Sequence, residues 1–154
     1  MKLGHFDFND TKTLIIAELS ANHNGSLNTA LRTIDAMKEA GADAVKLQTY
    51  TPDTITLDCD SEMFTISQGT QWDKRKFADL YAEAMTPWEW HPILFDHARN
   101  LGMEAFSSPF DPSAVDFLDK LNVPAYKIAS FEITDIPLIE YTASKGKPII
   151  ISTG

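Results

Sequence analysis

Two lysines sit inside short apolar runs of this 154-residue chain. Lys46 lies in Ala44-Val45-Lys46-Leu47-Gln48-Thr49-Tyr50, and Lys127 in Tyr126-Lys127-Ile128-Ala129-Ser130-Phe131-Glu132. An ammonium taken from water into an apolar setting is costly without a partner, and an anionic ligand shared by both lysines would supply one. Period two puts Lys46 and Gln48 on one face of a strand and Val45 and Leu47 on the other. Ser130 and Glu132 follow Lys127, while Ser108 and Ser152 sit at the exits of two further apolar runs. Glu18 directly follows the apolar run Thr13 to Ala17. The carboxyl ends of parallel strands open onto the ligand crevice of α/β folds, so cations, hydroxyls and carboxylates gathered there read as site chemistry.

The elements that must carry these residues follow from periodicity. Strands are expected at Thr13 to Ala17, Ala44 to Gln48, Met103 to Phe106, Val123 to Ile128 and Pro148 to Ser152. Ser26 caps a helix with apolar residues at Leu27, Ala30, Leu31, Ile34 and Met37, which Gly41 stops. A second helix covers Lys76 to Met85. Thr86-Pro87-Trp88-Glu89 has the form of a capping box, but Pro92 then implies a kink or a fresh start before the helix reaches Asn100. Asp111-Pro112 opens a helix through Leu121, and Thr134 or Asp135 caps another to Ser144. Residues 1 to 12 show no periodicity. The polar stretch 51 to 74 is too long for a turn and reads either as a binding loop or lid or as a surface excursion.

Strand-helix alternation means a parallel sheet with right-handed crossovers. A five-stranded doubly wound sheet fits the length. The stop at a strand end favours instead a piece of a (β/α)₈ barrel, which takes about 250 residues.

The composition, 44% apolar and 23% charged, is that of a globular domain. A formal charge of −9 argues against nucleic acid, although a local lysine pair still binds small anions. No apolar run of membrane-spanning length and no secretory signal occur, so the expected address is the cytoplasm. The single cysteine, Cys59, agrees with a reducing compartment and reads as a passive thiol. His23 reads as a hydrogen-bonding loop residue rather than a metal ligand. His5, His91 and His97 show no ligand spacing and read as solvent-facing or capping. Trp88, Trp90 and Phe95 read as core.

Six segments together resemble the sialic acid synthase family, most closely its pseudaminic acid synthase branch. They are Ile16 to Gly25, Lys46 to Tyr50, Thr86 to His91, Phe106 to Asp111, Tyr126 to Asp135 and Ile151 to Gly154. The resemblance implies a TIM-type barrel, here an N-terminal portion with about five strands. The later barrel strands and a small antifreeze-like domain, which swaps across a homodimer, are not in the sequence. It also implies condensation of phosphoenolpyruvate with a 2,4-diacetamido-2,4,6-trideoxy hexose to give pseudaminic acid and phosphate. A divalent metal, Mn or Mg, assists, with ligands on later strands and none in this chain. N-acetylneuraminate or legionaminic acid synthesis is the alternative.

Phosphoenolpyruvate brings two anionic groups, which call for cations and hydrogen-bond donors. Lys46 and Lys127 fit as cations, and Ser108, Ser130 and Ser152 as hydroxyl donors. The resemblance assigns these five to the phosphoenolpyruvate site. Glu18 is the candidate for moving protons, with Gln48 and Glu132 placing groups of the sugar. A strand-end lysine also suits a Schiff-base aldolase, and a non-catalytic barrel remnant is a third reading. The 154 residues alone are expected to bind weakly and not to turn over.

Overall fold

The computed structural model describes residues 2–9, 12–67 and 69–154. Met1, Asp10 and Thr11, from the stretch read as aperiodic, and Gln68, from the long polar connection, lie outside them.

A five-stranded parallel sheet organises the fold: β3 (Ile16–Glu18), β4 (Ala44–Thr49), β5 (Glu104–Pro109), β6 (Tyr126–Ile128) and β7 (Ile149–Ile151). The strands lie side by side in chain order. A doubly wound sheet would reverse that order at a switch point, so this is the arrangement of part of a (β/α) barrel. Helices α1 (Leu27–Glu39), α4 (Trp90–Asn100), α5 (Pro112–Lys120) and α6 (Ile136–Ala143) fill the crossovers. Their apolar stripes bury Ile34, Phe95, Leu118 and Leu138 in a core shared with Val45 and Leu47. None of the helices among the described residues is long and apolar enough to cross a membrane.

Where boundaries differ from the sequence reading, hydrogen bonding explains it. The first strand starts at Ile16 rather than Thr13 because Asp43 takes over the preceding backbone: its carboxylate accepts from Ile15 N at 3.0 Å, and the Ile15 carbonyl accepts from Asp43 N. Pairing with Lys46 then draws Glu18 into the strand. In β5, the register Leu47 with Ser107 and Gln48 with Ser108 extends the ladder through residues expected in an exit loop. Residues 2–7, which showed no periodicity, form an antiparallel hairpin of β1 (Lys2–Leu3) and β2 (Phe6–Asp7). Gly4 turns it with φ of 55°, and the Glu104 carboxylate lies 2.0 Å from where a Cβ would stand, so only glycine fits.

Pro92 neither kinks nor restarts a helix. The capping box at Thr86 does not form; a turn over Pro87–Glu89 leads into α4 at Trp90, which puts Pro92 in the first turn, where amide groups have no helical acceptor anyway. Ser26, Asp111 and Asp135 do cap, accepting from Thr29 N, from Ser113 N and Ala114 N, and from Leu138 N respectively. The helix expected at Lys76 to Met85 is α3 (Phe77–Ala84), and the long connection before it contains α2 (Pro52–Ile55) and a 3-10 turn (Glu62–Phe64). Beyond α2 it is a surface excursion, pinned by Lys76 ion pairs to Asp58 and Asp60 at 3.2 and 2.5 Å.

Candidate active site

The carboxyl ends of the five strands frame a cleft of about 380 Å³. Seven of the eight residues singled out from sequence line it: Glu18, Lys46, Gln48, Ser108, Lys127, Ser130 and Ser152. The register explains the convergence. Glu18 pairs with Lys46, and Gln48 with Ser108, on neighbouring strands, and paired residues of a parallel ladder point to the same face. Ser107 pairs with Tyr126, so the next residues, Ser108 and Lys127, fall beside each other.

The lysines are held differently. Lys46 is buried, its side chain 9% exposed, with Nζ 3.3 Å from Oε2 of the more exposed Glu18. Lys127 donates to the Ile128 carbonyl and to Ser152 Oγ, both at 2.6 Å. Burial and then repulsion from Lys46 pull the Lys127 ammonium below its ordinary pKa, with Glu18 and Glu132 opposing. Two ammonium groups near enough to repel, faced by one partly exposed carboxylate, form a site that gains from a dianionic ligand. The Ser108 hydroxyl strengthens this: it is buried and has no hydrogen-bond partner, which is costly unless a ligand takes it up.

Glu132 is the exception. It lies on the 3-10 turn Ser130–Thr134 and does not line the cleft. Its Oε2 is buried without a partner, and burial, helped by Asp135, raises its pKa. Sequence reasoning missed Tyr50, Ile55, Tyr81 and Phe110, which also line the cleft. Tyr50 was legible, since period two along β4 puts it on the face of Lys46 and Gln48. It meets Tyr81 and Phe110 edge to face, with ring centroids 5.8 and 5.6 Å away, and burial pushes its phenol up to about 12.

Behind the sheet, His91 is fully buried rather than solvent-facing or capping. Its Nε2 lies 2.9 Å from Thr49 Oγ1, which is 2.7 Å from Ser107 Oγ, and its Nδ1 is 3.3 Å from the Pro87 carbonyl. A carbonyl only accepts, so Nδ1 carries the proton and Nε2 accepts from Thr49. Burial lowers the imidazole pKa to about 4. His97 is a second correction: it is half-buried and bonds Asp35 at 2.7 Å. His5 is exposed. His23 is a buried loop residue whose Nδ1 accepts from Gly25 N at 3.1 Å and whose ring packs edge to face with Trp90. Phe95 is core, and Trp88 stacks on Phe117 while donating to the Tyr50 carbonyl. Among the described residues, cavities of about 320 Å³ beside Trp72 and about 580 Å³ between Phe6 and Ile150 are each lined by one charged side chain, Glu83 and Lys12, so these residues gather no cations at either.

The sequence pattern of the NeuB family matches residues 33–154. The chain belongs to the NeuB family. This NeuB-family chain is 53% identical over its whole length to pseudaminic acid synthase of Campylobacter jejuni, of which it spans 44%. It is 56% identical over 140 residues, 91% of its length, to pseudaminic acid synthase of Helicobacter pylori, spanning 41% of that enzyme. Among solved structures, N-acetylneuraminic acid synthetase from Leptospira borgpetersenii in complex with citrate superposes with a TM-score of 0.77 and 31% identity, over 94% of this chain and 45% of that one. The family chain thus spans less than half the length of these relatives.

Proposed function

We propose that the cleft is the phosphoenolpyruvate site of a pseudaminic acid synthase, which condenses phosphoenolpyruvate with a 2,4-diacetamido-2,4,6-trideoxy hexose to give pseudaminic acid and phosphate. The observation that carries this is the convergence of Lys46 and Lys127 beside the unpartnered Ser108 hydroxyl. The lysines hold phosphate and carboxylate; Ser108, Ser130 and Ser152 donate to their oxygens. The methylene carbon then forms a bond to the sugar's aldehyde carbon, whose oxygen takes a proton. Water adds to the resulting cationic carbon and gives up one proton; the carbon–oxygen bond to phosphate then breaks, and phosphate departs with the remaining hydroxyl proton as the ketone forms. Glu18, at the mouth and paired with Lys46, is placed to exchange these protons. Gln48 lies beside it to orient the sugar, and Glu132, one residue behind the rim, acts on the sugar through the turn it shares with Ser130.

The described residues do not fit a divalent metal. Glu18 is the one carboxylate among the described residues of the cleft, and no three histidine, cysteine or carboxylate side chains converge among them. Manganese or magnesium, in this reading, draws its ligands from outside these residues, and no step is assigned to it. A homodimer and a cytoplasmic setting belong to the same reading of the whole protein. N-acetylneuraminate or legionaminic acid synthesis is the second reading, favoured by the likeness to the Leptospira enzyme.

The test is a chimera carrying this chain in place of the matching segment of the Campylobacter jejuni enzyme. It is expected to release phosphate from phosphoenolpyruvate with the diacetamido-trideoxy hexose and much more slowly with N-acetylmannosamine. A folded chimera that releases phosphate faster with N-acetylmannosamine, or with neither sugar, overturns the proposal.

A further inference from the structure

The cleft is lined by lysines and serines and also by the apolar side chains Ile55, Phe110 and Phe131. Phe110 is fixed by its edge contact with Tyr50, itself backed by Tyr81. Phe131 is different: 92% exposed, it stands between Ser130 and Glu132 on the 3-10 turn and is among the residues that line the cleft. An aromatic ring left in water forfeits the favourable burial of its apolar surface, and this one borders the space where the ligand must enter.

We propose that Ile55, Phe110 and Phe131 form the wall that selects the methyl-bearing end of the sugar, with Phe131 as its principal contact. This rests on the synthase reading of the cleft. Such a wall accepts acetamido methyls and a 6-deoxy carbon, but has no partner for a hydroxyl buried against it, so it disfavours a hydroxymethyl sugar of similar size. One apolar group of this size discriminates by roughly tenfold or more.

The test titrates the chimera that carries this chain within the Campylobacter jejuni enzyme, with phosphoenolpyruvate present, against 2,4-diacetamido-2,4,6-trideoxy hexose and against N-acetylmannosamine, following saturation transfer to the sugar methyls by NMR. The wild type is expected to prefer the former by about tenfold. Phe131→Ser should remove most of that preference, Phe131→Leu should keep most of it, and phosphoenolpyruvate affinity should change less than twofold in both. An unaltered preference in Phe131→Ser, equal loss for both sugars, or no sugar binding by the wild type overturns the proposal. So does a change in oligomeric state with sugar affinity unchanged, which would make Phe131 a protein-docking residue. If the sugar preference depends on Phe131 while phosphoenolpyruvate fails to bind, the wall stands and the synthase reading falls.

Discussion

Lys127 Nζ lies 2.6 Å from Ser152 Oγ, a bond that ties the end of β6 to the exit of β7 and aims the ammonium into the cleft. Ser152→Ala leaves Lys127 with the Ile128 carbonyl alone. A net hydrogen bond contributes about 1 kcal/mol, so phosphoenolpyruvate affinity should fall roughly fivefold by calorimetric titration. An unchanged affinity would mean that Ser152 does not position Lys127.

The lowered pKa of Lys127 sets a pH dependence. Between the folded pKa and the ordinary value near 10.5, the unfolded chain binds more protons, so stability rises with pH across that window and the folded state carries the full penalty below it. Lys127→Met should therefore raise the midpoint of thermal unfolding at pH 7 while weakening phosphoenolpyruvate binding. In the wild type, binding should weaken as pH climbs through the same window. A lower unfolding midpoint in Lys127→Met would contradict this.

Glu132 has the opposite sign. Its raised pKa means that the folded state binds more protons just above pH 4.5, so stability is lost as pH rises through that window. Glu132→Gln should unfold at a higher temperature than wild type at pH 7, and the gap should close below pH 4.5. A gap that persists in acid would mean that the carboxyl is not protonated on folding.

How far these features could be read from sequence depended on what positions each residue. Lys46, Gln48 and Tyr50 follow from period two along one strand, and Ser26 and Asp111 from local capping chemistry, so the single sequence suffices. The pairing of Gln48 with Ser108 depends on register between strands separated by a long connection, which is why Ser108 was expected in a loop. The hairpin at Lys2–Asp7 has strands of two residues, too short for a periodic signal, and exists because Glu104 accepts from His5 N. His91 was misplaced for a similar reason. Its partner Thr49 lies 42 residues away, and Thr49 in turn bonds Ser107 on the next strand, a link that only the sheet brings about.

That buried chain makes its own prediction. Thr49→Val removes the hydroxyl that donates to His91 and accepts from Ser107, leaving two buried groups unpaired at a cost of about 1–3 kcal/mol. Thr49→Ser should recover most of it in denaturant unfolding. Because the His91 pKa falls from 6.5 to about 4, the wild type should lose about 3 kcal/mol as pH drops across that interval, and His91→Gln should lose less. Equal acid sensitivity in both would contradict a neutral, buried imidazole.

Two lysines from separate strands sharing one ligand are the centre of the site, and calorimetric titration of phosphoenolpyruvate into the wild type, Lys46→Met and Lys127→Met tests this most directly. The wild type should bind, and each substitution should weaken binding by at least about tenfold, the scale of one charge-assisted contact. Wild-type affinity in either variant would show that the lysines do not act on the same molecule.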